Sequence, residues 1–324
     1  MSKNRKDEHI ELALKQEVKK NAFDKIRLEA LDLPDLSMDQ IELNTEFLGY
    51  KVPYPIYINA MTGGSANGHR INEFLSRLAN HFNLPMVTGS QSIIFKDEAS
   101  KPSFEIIRKN HQGIVVSNLN ANASVSQALE AINLISANAL SIHLNVIQEL
   151  VMPEGDRDFS DWTENIKKIK DVIDVPLIVK EVGMGLSLST ISKLKRLGIK
   201  HIDVAGSGGT SFLKIEEARS GKSYDYLNEF NLDTAEILMK LEKDDDVSIY
   251  ASGGVRNPLD VIKALILGAK AVGLSRCFLD LTFLEFDEAI KRVEEFVNDL
   301  KKIMIIIGAK SIKDLPKVKY ELID

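Results

Sequence analysis

VSIYASGGVRNPLDVIKALILGAKAVGLS, residues 247–275, decides the fold. Its opening, 247–254, is a β-rich run that breaks at Ser252-Gly253-Gly254. Asn257-Pro258 then reads as a helix N-cap and first helical residue, because the first turn does not need the N–H that proline lacks. Gly268 stands just past the end of that helix, and AVGLS (271–275) is a second apolar strand. Strand, helix and strand in this order make a βαβ unit, in which the helix carries the chain back and the strands run parallel.

The alternation extends toward the N-terminus. Strands are expected at PIYINA (55–60), MVTGS (86–90), IVVSN (114–118), ALSIHL (139–144), PLIVKE (176–181) and HIDVAG (201–206). Between the first two, Ile71, Phe74, Leu75, Leu78, Ala79 and Phe82 fall on one helical stripe. Another helix, 189–197, ends before Gly198. Eight mostly apolar strands alternating with helices imply a parallel sheet covered on both faces. The fold class is α/β, and the count predicts a closed (β/α)8 TIM barrel over 54–324, with a doubly wound open sheet as the alternative. Residues 1–53 precede it as an N-terminal arm and helical extension, with a helix from 8 to about 20. Residues 210–232 form a long connection after the sixth strand, either a working loop at the mouth or a solvated insertion.

The totals agree with one barrel enzyme. The 324 residues are 44% hydrophobic and 27% charged, enough for a large core. A net charge of −6 speaks against a nucleic-acid surface but leaves room for a local basic pocket. Cys277 is the only cysteine, which excludes an intrachain disulfide and fits a reducing cytoplasm. No apolar run approaches the ~20 residues of a membrane span. The most apolar stretch, 303–307, lies in an amphipathic helical pattern, and the charged opening MSKNRKDEHIEL lacks the apolar core of a signal peptide.

In a parallel barrel the working groups stand at the C-terminal ends of the strands. Those ends read Thr62-Gly63-Gly64, Ser90-Gln91, Asn118, His143 with Asn145, Lys180-Glu181, Ser207 to Thr210, Ser252-Gly253-Gly254 and Ser275-Arg276. Nearly all are polar or glycine-rich, in phase with the strand count, so a lined ligand site is expected there. SGGVR followed by GAKAVGLSR suits a phosphate, because glycines let the backbone approach an anion after strands seven and eight. Lys180 ends an apolar strand and brings a charge to the mouth. In HLNVIQE (143–149), His143 and Asn145 share one strand face, and Gln148 and Glu149 follow where a loop is expected. Glu149 alone cannot cage Mg2+, but it can hold one that also takes water and substrate oxygens. RKDEH (5–9) is by itself a frayed charged end. It gains a role only if the arm folds over the mouth, where Arg5 and Lys6 could pair with diphosphate oxygens.

Taken together, RKDEH (5–9), NAMTGG (59–64), GSQ (89–91), HLNVIQE (143–149), KEVGMG (180–185), DVAGSGGT (203–210) and SGGVR (252–256) make the chain resemble a type 2 isopentenyl diphosphate isomerase over nearly its whole length. Generic FMN barrels share only the later glycine motifs. The resemblance implies FMN, Mg2+ and NADPH as reductant. It also implies a small-molecule diphosphate substrate, with neither nucleic acid nor membrane as partner, and a cytoplasmic homo-oligomer. The implied reaction interconverts isopentenyl and dimethylallyl diphosphate in isoprenoid biosynthesis without net redox change, with reduced flavin acting as acid and base near its N5. Carried over by position, Arg5, Lys6 and His9 would bind the diphosphate. His143, Asn145 and Gln148 would face the substrate as the catalytic set, and Glu149 would bind Mg2+. Ala60, Met61, Thr62, Ser90, Asn118, Lys180, Ser207 and Thr210 would line the flavin, and Gly253, Gly254, Arg256, Leu274 and Ser275 would hold its phosphate. Ser92 stands where some relatives carry a basic residue for the diphosphate.

Three rivals remain. A 2-hydroxy-acid oxidase shares the glycine motifs but needs a histidine in a strand-end loop, where this chain has Val204-Ala205-Gly206-Ser207. An inosine-monophosphate-dehydrogenase type needs a nucleophilic cysteine on a mobile loop, and Cys277 follows strand eight instead. A non-catalytic flavin-binding protein would not need HLNVIQE.

Overall fold

The computed structural model describes residues 5–17, 20–242 and 244–323. Ahead of the barrel come α1 (Arg5–Lys15), β1 (Ile26–Leu28) and an antiparallel hairpin of β2 (Thr45–Phe47) and β3 (Tyr50–Val52). The eight expected strands follow as β4 (Ile56–Ile58), β5 (Met86–Val87), β6 (Val115–Asn120), β7 (Ala139–His143), β8 (Leu177–Lys180), β9 (His201–Asp203), β10 (Ser248–Ser252) and β11 (Val272–Leu274). All pair in parallel, and Val272 of β11 pairs with Ile56 of β4, so the sheet closes and the open doubly wound alternative falls. Seven of the eight are shorter than the sequence runs, while β6 continues past the expected end at 118 to Asn120.

The outer layer holds α2 (Ala66–Phe82), α3 (Pro102–Asn110), α4 (Val125–Leu134), α5 (Val146–Val151), α6 (Trp162–Val172), α7 (Leu188–Arg196), α8 (Phe212–Ser220), α9 (Thr234–Lys240), α10 (Pro258–Ile266), α11 (Arg276–Leu281) and α12 (Phe286–Ile306). β12 (Tyr320–Leu322) returns to pair with β1. In α2 the expected stripe faces inward, with Ile71, Leu75, Leu78 and Ala79 fully buried. The Asn257 side chain accepts the Asp260 N–H at 3.0 Å and starts α10, and Gly268 at φ +105° lets the chain leave it. At the N-terminal end of the barrel, Phe47 packs on Tyr57 at 4.6 Å, and the Leu48 N–H donates to the Tyr250 hydroxyl at 2.9 Å. The β2–β3 hairpin thereby plugs that end and leaves the C-terminal mouth for a ligand.

Three local expectations are corrected. α1 begins at Arg5 and ends at Lys15, although the sequence suggested 8 to about 20. It stops because the Arg276 guanidinium takes the carbonyls of Ala13 and Leu14 at 2.5 and 2.9 Å, while the Gln16 amide exchanges two hydrogen bonds with the Ser211 backbone. Val18 and Lys19, the far part of the expected helix, lie outside the described residues. Gln148 and Glu149 sit in the short helix α5 rather than in a loop. The 210–232 connection contains α8 and a 3-10 turn over Asp225–Phe230. Ser211 caps α8 by accepting the Lys214 N–H, and Gly221 at φ +67° ends it. Leu213, Ile215 and Glu216 of α8 are buried, so the first half of this segment is packed structure.

Candidate functional site

A cavity of about 350 Å³ opens at the C-terminal ends of the strands, and α1 lies across it. Arg5, Lys6, His9, Ile10 and Ala13 contribute to its wall. The arm is held at several points. Asp7 accepts from the Ser65 hydroxyl at 2.7 Å, Lys6 donates to the Ser90 carbonyl at 2.9 Å, and His9 Nε2 lies 3.0 Å from the Glu216 carboxylate. The Arg219 guanidinium sits among Glu8, Glu154 and the fully buried Glu216, binding Glu8 at 3.2 Å and Glu154 at 2.8 Å. Burial pushes Glu216 up, but His9 and Arg219 outweigh it and hold its carboxyl below the usual range. Burial and neighbouring Arg5 pull Lys6 down to about 7.

β7 and α5 supply the polar set. His143 ends β7 and Asn145 precedes α5. The Asn145 amide donates to Glu149 Oε1 at 2.8 Å, and the other Glu149 oxygen accepts the Asp156 N–H at 2.8 Å. Gln148 Nε2 reaches Glu216 Oε1 at 3.4 Å. Asn145 Oδ1 is buried at the cavity without a hydrogen-bond partner among the described residues, which leaves it for a ligand donor. His143 Nδ1 lies 3.1 Å from Asn118 Oδ1. Burial, then the charges of Lys180 and Lys6, push His143 down to about 3, so its imidazole is neutral at physiological pH.

The floor is charged and ordered. Lys180 is buried and donates to the Glu181 carbonyl at 2.6 Å. Burial lowers its affinity for a proton, opposed by Asp203 and Glu181. Asp203, its cross-strand neighbour, accepts from the Tyr57 hydroxyl at 2.9 Å and from the Ser252 hydroxyl at 2.8 Å. At one corner the loops after β9 and β10 meet backbone to backbone. A Cβ on Gly253 (φ +82°) would stand 1.9 Å from the Gly206 carbonyl, and one on Gly209 would stand 2.9 Å from the Gly254 nitrogen. Only glycines fit there, and Gly209, Gly253 and Gly254 line the cavity.

Most of the residues singled out from sequence therefore share one wall. Arg5, Lys6 and His9 come from the arm, and Ala60, Met61, Ser90 and Asn118 come from the first three strand ends. His143, Asn145, Gln148, Glu149 and Lys180 follow, then Thr210, Gly253, Gly254 and Ser275. Four do not line the cavity. Thr62 is buried under the β4 loop, and Leu274 is buried in β11. The Ser207 hydroxyl bonds Asp233, and Arg256 turns outward to Asp24 and Asp260. Cys277 is pushed up to about 11 by burial, so the thiol is no nucleophile, against the inosine-monophosphate-dehydrogenase type. The stretch 204–207 supplies no histidine to the mouth, against the oxidase.

The sequence reading missed Asn59, Lys96, Met152 and Phe212 on the wall, and the Glu216–Arg219 pair behind it. The signal for α8 was present in Ser211 and Gly221, nine helical residues apart.

The same donors admit the implied groups. The glycine corner fits a flavin phosphate, and the unpaired Asn145 oxygen fits a ring or substrate N–H or O–H. Among the described residues no group of three or more His, Cys, Asp or Glu forms a metal cage. Three carboxylate residues line the cavity, Glu149, Glu154 and Asp156, and a single one such as Glu149 suits a hard cation that keeps water and takes substrate oxygens.

A model of the FMN-dependent dehydrogenase family matches residues 117–321. The isopentenyl-diphosphate delta-isomerase of Staphylococcus haemolyticus is 42% identical over 98% of this chain and 92% of its own. That of Streptococcus gordonii is also 42% identical, over 99% of this chain and 96% of its own. Among solved structures, a flavocytochrome b2 variant with benzoylformate superposes with a TM-score of 0.70 at 21% identity, covering 97% of this chain and 79% of that one. A mandelate oxidase variant with (S)-mandelic acid gives 0.67 at 15%, covering 99% and 95%. These two share the fold.

Proposed function

The chain belongs to the isopentenyl-diphosphate delta-isomerase family, built on the FMN-dependent dehydrogenase barrel, and from that membership we propose that it interconverts isopentenyl and dimethylallyl diphosphate with FMN, Mg2+ and NADPH as reductant. The observation that carries this reading is the single cavity wall that joins Arg5, Lys6 and His9 of the arm to His143, Asn145, Gln148 and Glu149. The relatives named isopentenyl-diphosphate delta-isomerase, at 42% identity, favour it over a hydroxy-acid oxidoreductase.

The reaction adds a proton at C4 of the substrate and removes one from C2, through a tertiary cation. Bound reduced FMN would supply the acid–base group and an electron-rich face for that cation. The protein supplies position and dryness. Arg5 and Lys6 would grip the diphosphate, and His9 would join them, so that binding energy holds the prenyl end in place. Glu149 would hold Mg2+ against the same oxygens. Ala60, Met61, Ser90, Asn118, Lys180 and Thr210 would line the flavin, with Gly253, Gly254 and Ser275 at its phosphate. His143, neutral at working pH, orients rather than protonates, as does Asn145. Gln148 has no useful pKa, and its amide donates to the Glu216 carboxylate at 3.4 Å, so it would orient the substrate rather than carry a proton. α1, with Phe212 of α8 packed edge-on against His9 at 6.0 Å, would keep water from the cation. In this reading residues 1–53 are the closing arm of a barrel unit spanning 54–324. The enzyme is a cytoplasmic homo-oligomer, and no helix among the described residues is long and apolar enough to cross a membrane.

The test is anaerobic incubation of the protein with FMN, Mg2+, NADPH and isopentenyl diphosphate. Dimethylallyl diphosphate should appear only with reduced flavin and without stoichiometric NADPH consumption. Steady NADPH oxidation without that product would replace the isomerase with an oxidoreductase.

A further inference from the structure

Five lysine and arginine side chains among the described residues line the cavity: Arg5, Lys6, Lys96, Lys180 and Arg276. Four are committed to protein groups. Arg5 faces Glu154 at 3.6 Å, and Lys6 donates to the Ser90 carbonyl. Lys180 donates to the Glu181 carbonyl, and Arg276 holds α1 and Asp280. Lys96 makes no ion pair or side-chain hydrogen bond among the described residues, although it is charged and beside a closed-over cavity. It follows directly on the 3-10 turn Gln91–Phe95, whose other end carries the Ser90 carbonyl that receives Lys6. Five residues of 3-10 turn rise only ~10 Å, so both ammonium groups serve one side of the mouth. Between them Ser92 offers a hydroxyl, which takes a hydrogen bond from Ser90 at 3.1 Å, and no charge.

We propose that Lys96 is a binding residue for the substrate's diphosphate, acting at the cavity rim from the 3-10 turn after β5. A diphosphate carries about three negative charges, and the cations that reach it from the arm are partly spent. Arg5 shares its charge with Glu154. Lys6, held near 7, gives up part of its charge at cell pH until an anion arrives. Lys96 is exposed and loses no partner when it turns to the ligand, so its contact comes without breaking a protein bond. It supplies the cation that Ser92, closer to the strand end, does not. The inference rests on the diphosphate-isomerase reading only for the identity of the anion.

The test uses the FMN-loaded protein with Mg2+. Binding of inorganic pyrophosphate is measured by calorimetry, and KM and kcat are measured for isopentenyl diphosphate. Lys96→Gln should weaken pyrophosphate and raise KM about tenfold, the scale of one charge-assisted hydrogen bond, while kcat is retained. Lys96→Arg should restore both. Lys101→Gln, which removes a nearby lysine paired with Glu98 and Glu130 away from the cavity, should change neither. Wild-type values in Lys96→Gln would overturn the proposal, as would an equal loss in Lys96→Arg, since charge at this position would then not be what binds. Lys96-dependent pyrophosphate binding in a protein that does not isomerise the substrate would leave this site standing and remove the isomerase reading instead.

Discussion

Gly253→Ala is the most direct trial of the phosphate corner. The backbone there is left-handed, φ +82°, and the new methyl would stand 1.9 Å from the Gly206 carbonyl. Left-handed backbone costs a residue with a Cβ about 1–2 kcal/mol. Relieving the contact means moving one backbone loop off another, comparable to overpacking at about 1–3 kcal/mol. The total is about 4 kcal/mol. Gly221 supplies the control, because it has φ +67° and nothing within 4 Å of the place its new methyl would take, so Gly221→Ala carries the strain alone. For 324 residues each kcal/mol shifts Tm by about 1.5 °C. Scanning calorimetry of the apoprotein should therefore show a fall of about 2 °C for Gly221→Ala and about 6 °C for Gly253→Ala. Titration of flavin fluorescence should show FMN affinity unchanged in the first and weakened more than tenfold in the second. If the two variants match each other in both readings, close backbone approach at this corner is not what the glycines are for.

Glu149→Gln should keep FMN, since Glu149 is on the arm side of the wall, but lose Mg2+-stimulated turnover. An unchanged Mg2+ requirement at full activity would defeat the metal role. Lys6, lowered to about 7, sets a pH dependence with opposite signs in two states. Without ligand, the undocked arm holds the extra proton between about 7 and the ordinary lysine range, so docking tightens as pH rises through that window. Pyrophosphate needs the charged ammonium, so at pH 8 its binding should take up a proton, read by calorimetry in two buffers of different ionisation heat. Lys6→Met should abolish the uptake, and equal heats in both buffers for the wild type would refute the assignment. Arg219→Met removes the arm's contact through Glu8 and should cost about 1 kcal/mol of arm docking. Limited proteolysis after α1 should speed up and KM should rise, and wild-type protection of the arm would show that the clasp is not needed.

The barrel was legible because its signals are local. Each strand is a short, mostly apolar run, so existence and order came through, while every expected end but that of β6 ran long. Asn257-Pro258 and Gly268 bracket α10 with groups whose effects reach one turn. α8 escaped for a physical reason. Its inward side carries Glu216 and Arg219 as well as Leu213 and Ile215, so no apolar stripe marks it. Its caps, Ser211 and Gly221, were its only marks in the sequence. Thr62, Ser207, Arg256 and Leu274, expected at the flavin from the family resemblance, are not among the residues that line the cavity. A strand residue and the next point to opposite faces, and a loop arginine goes to whichever carboxylates the fold brings, here Asp24 and Asp260.

The arm shows where reading from sequence must stop. RKDEH has no apolar anchor until Ile10, and in isolation four charged residues and a histidine favour water over any surface. Its docking depends on carboxylates and donors more than fifty residues away. Ser65 binds Asp7, the Ser90 carbonyl takes Lys6, and Arg219 binds Glu8. None of those partners is marked in sequence as a partner, because a surface ion pair and a docking clasp are spelled with the same residues. What separates them is burial. Glu216 is fully buried and touches His9, Gln148 and Arg219, so the arm cannot lift without exposing or stranding a carboxylate that also touches the polar set of the site. The contact that closes the cavity and the contact that orients Gln148 are thus made by one side chain, and arm position and site geometry must change together.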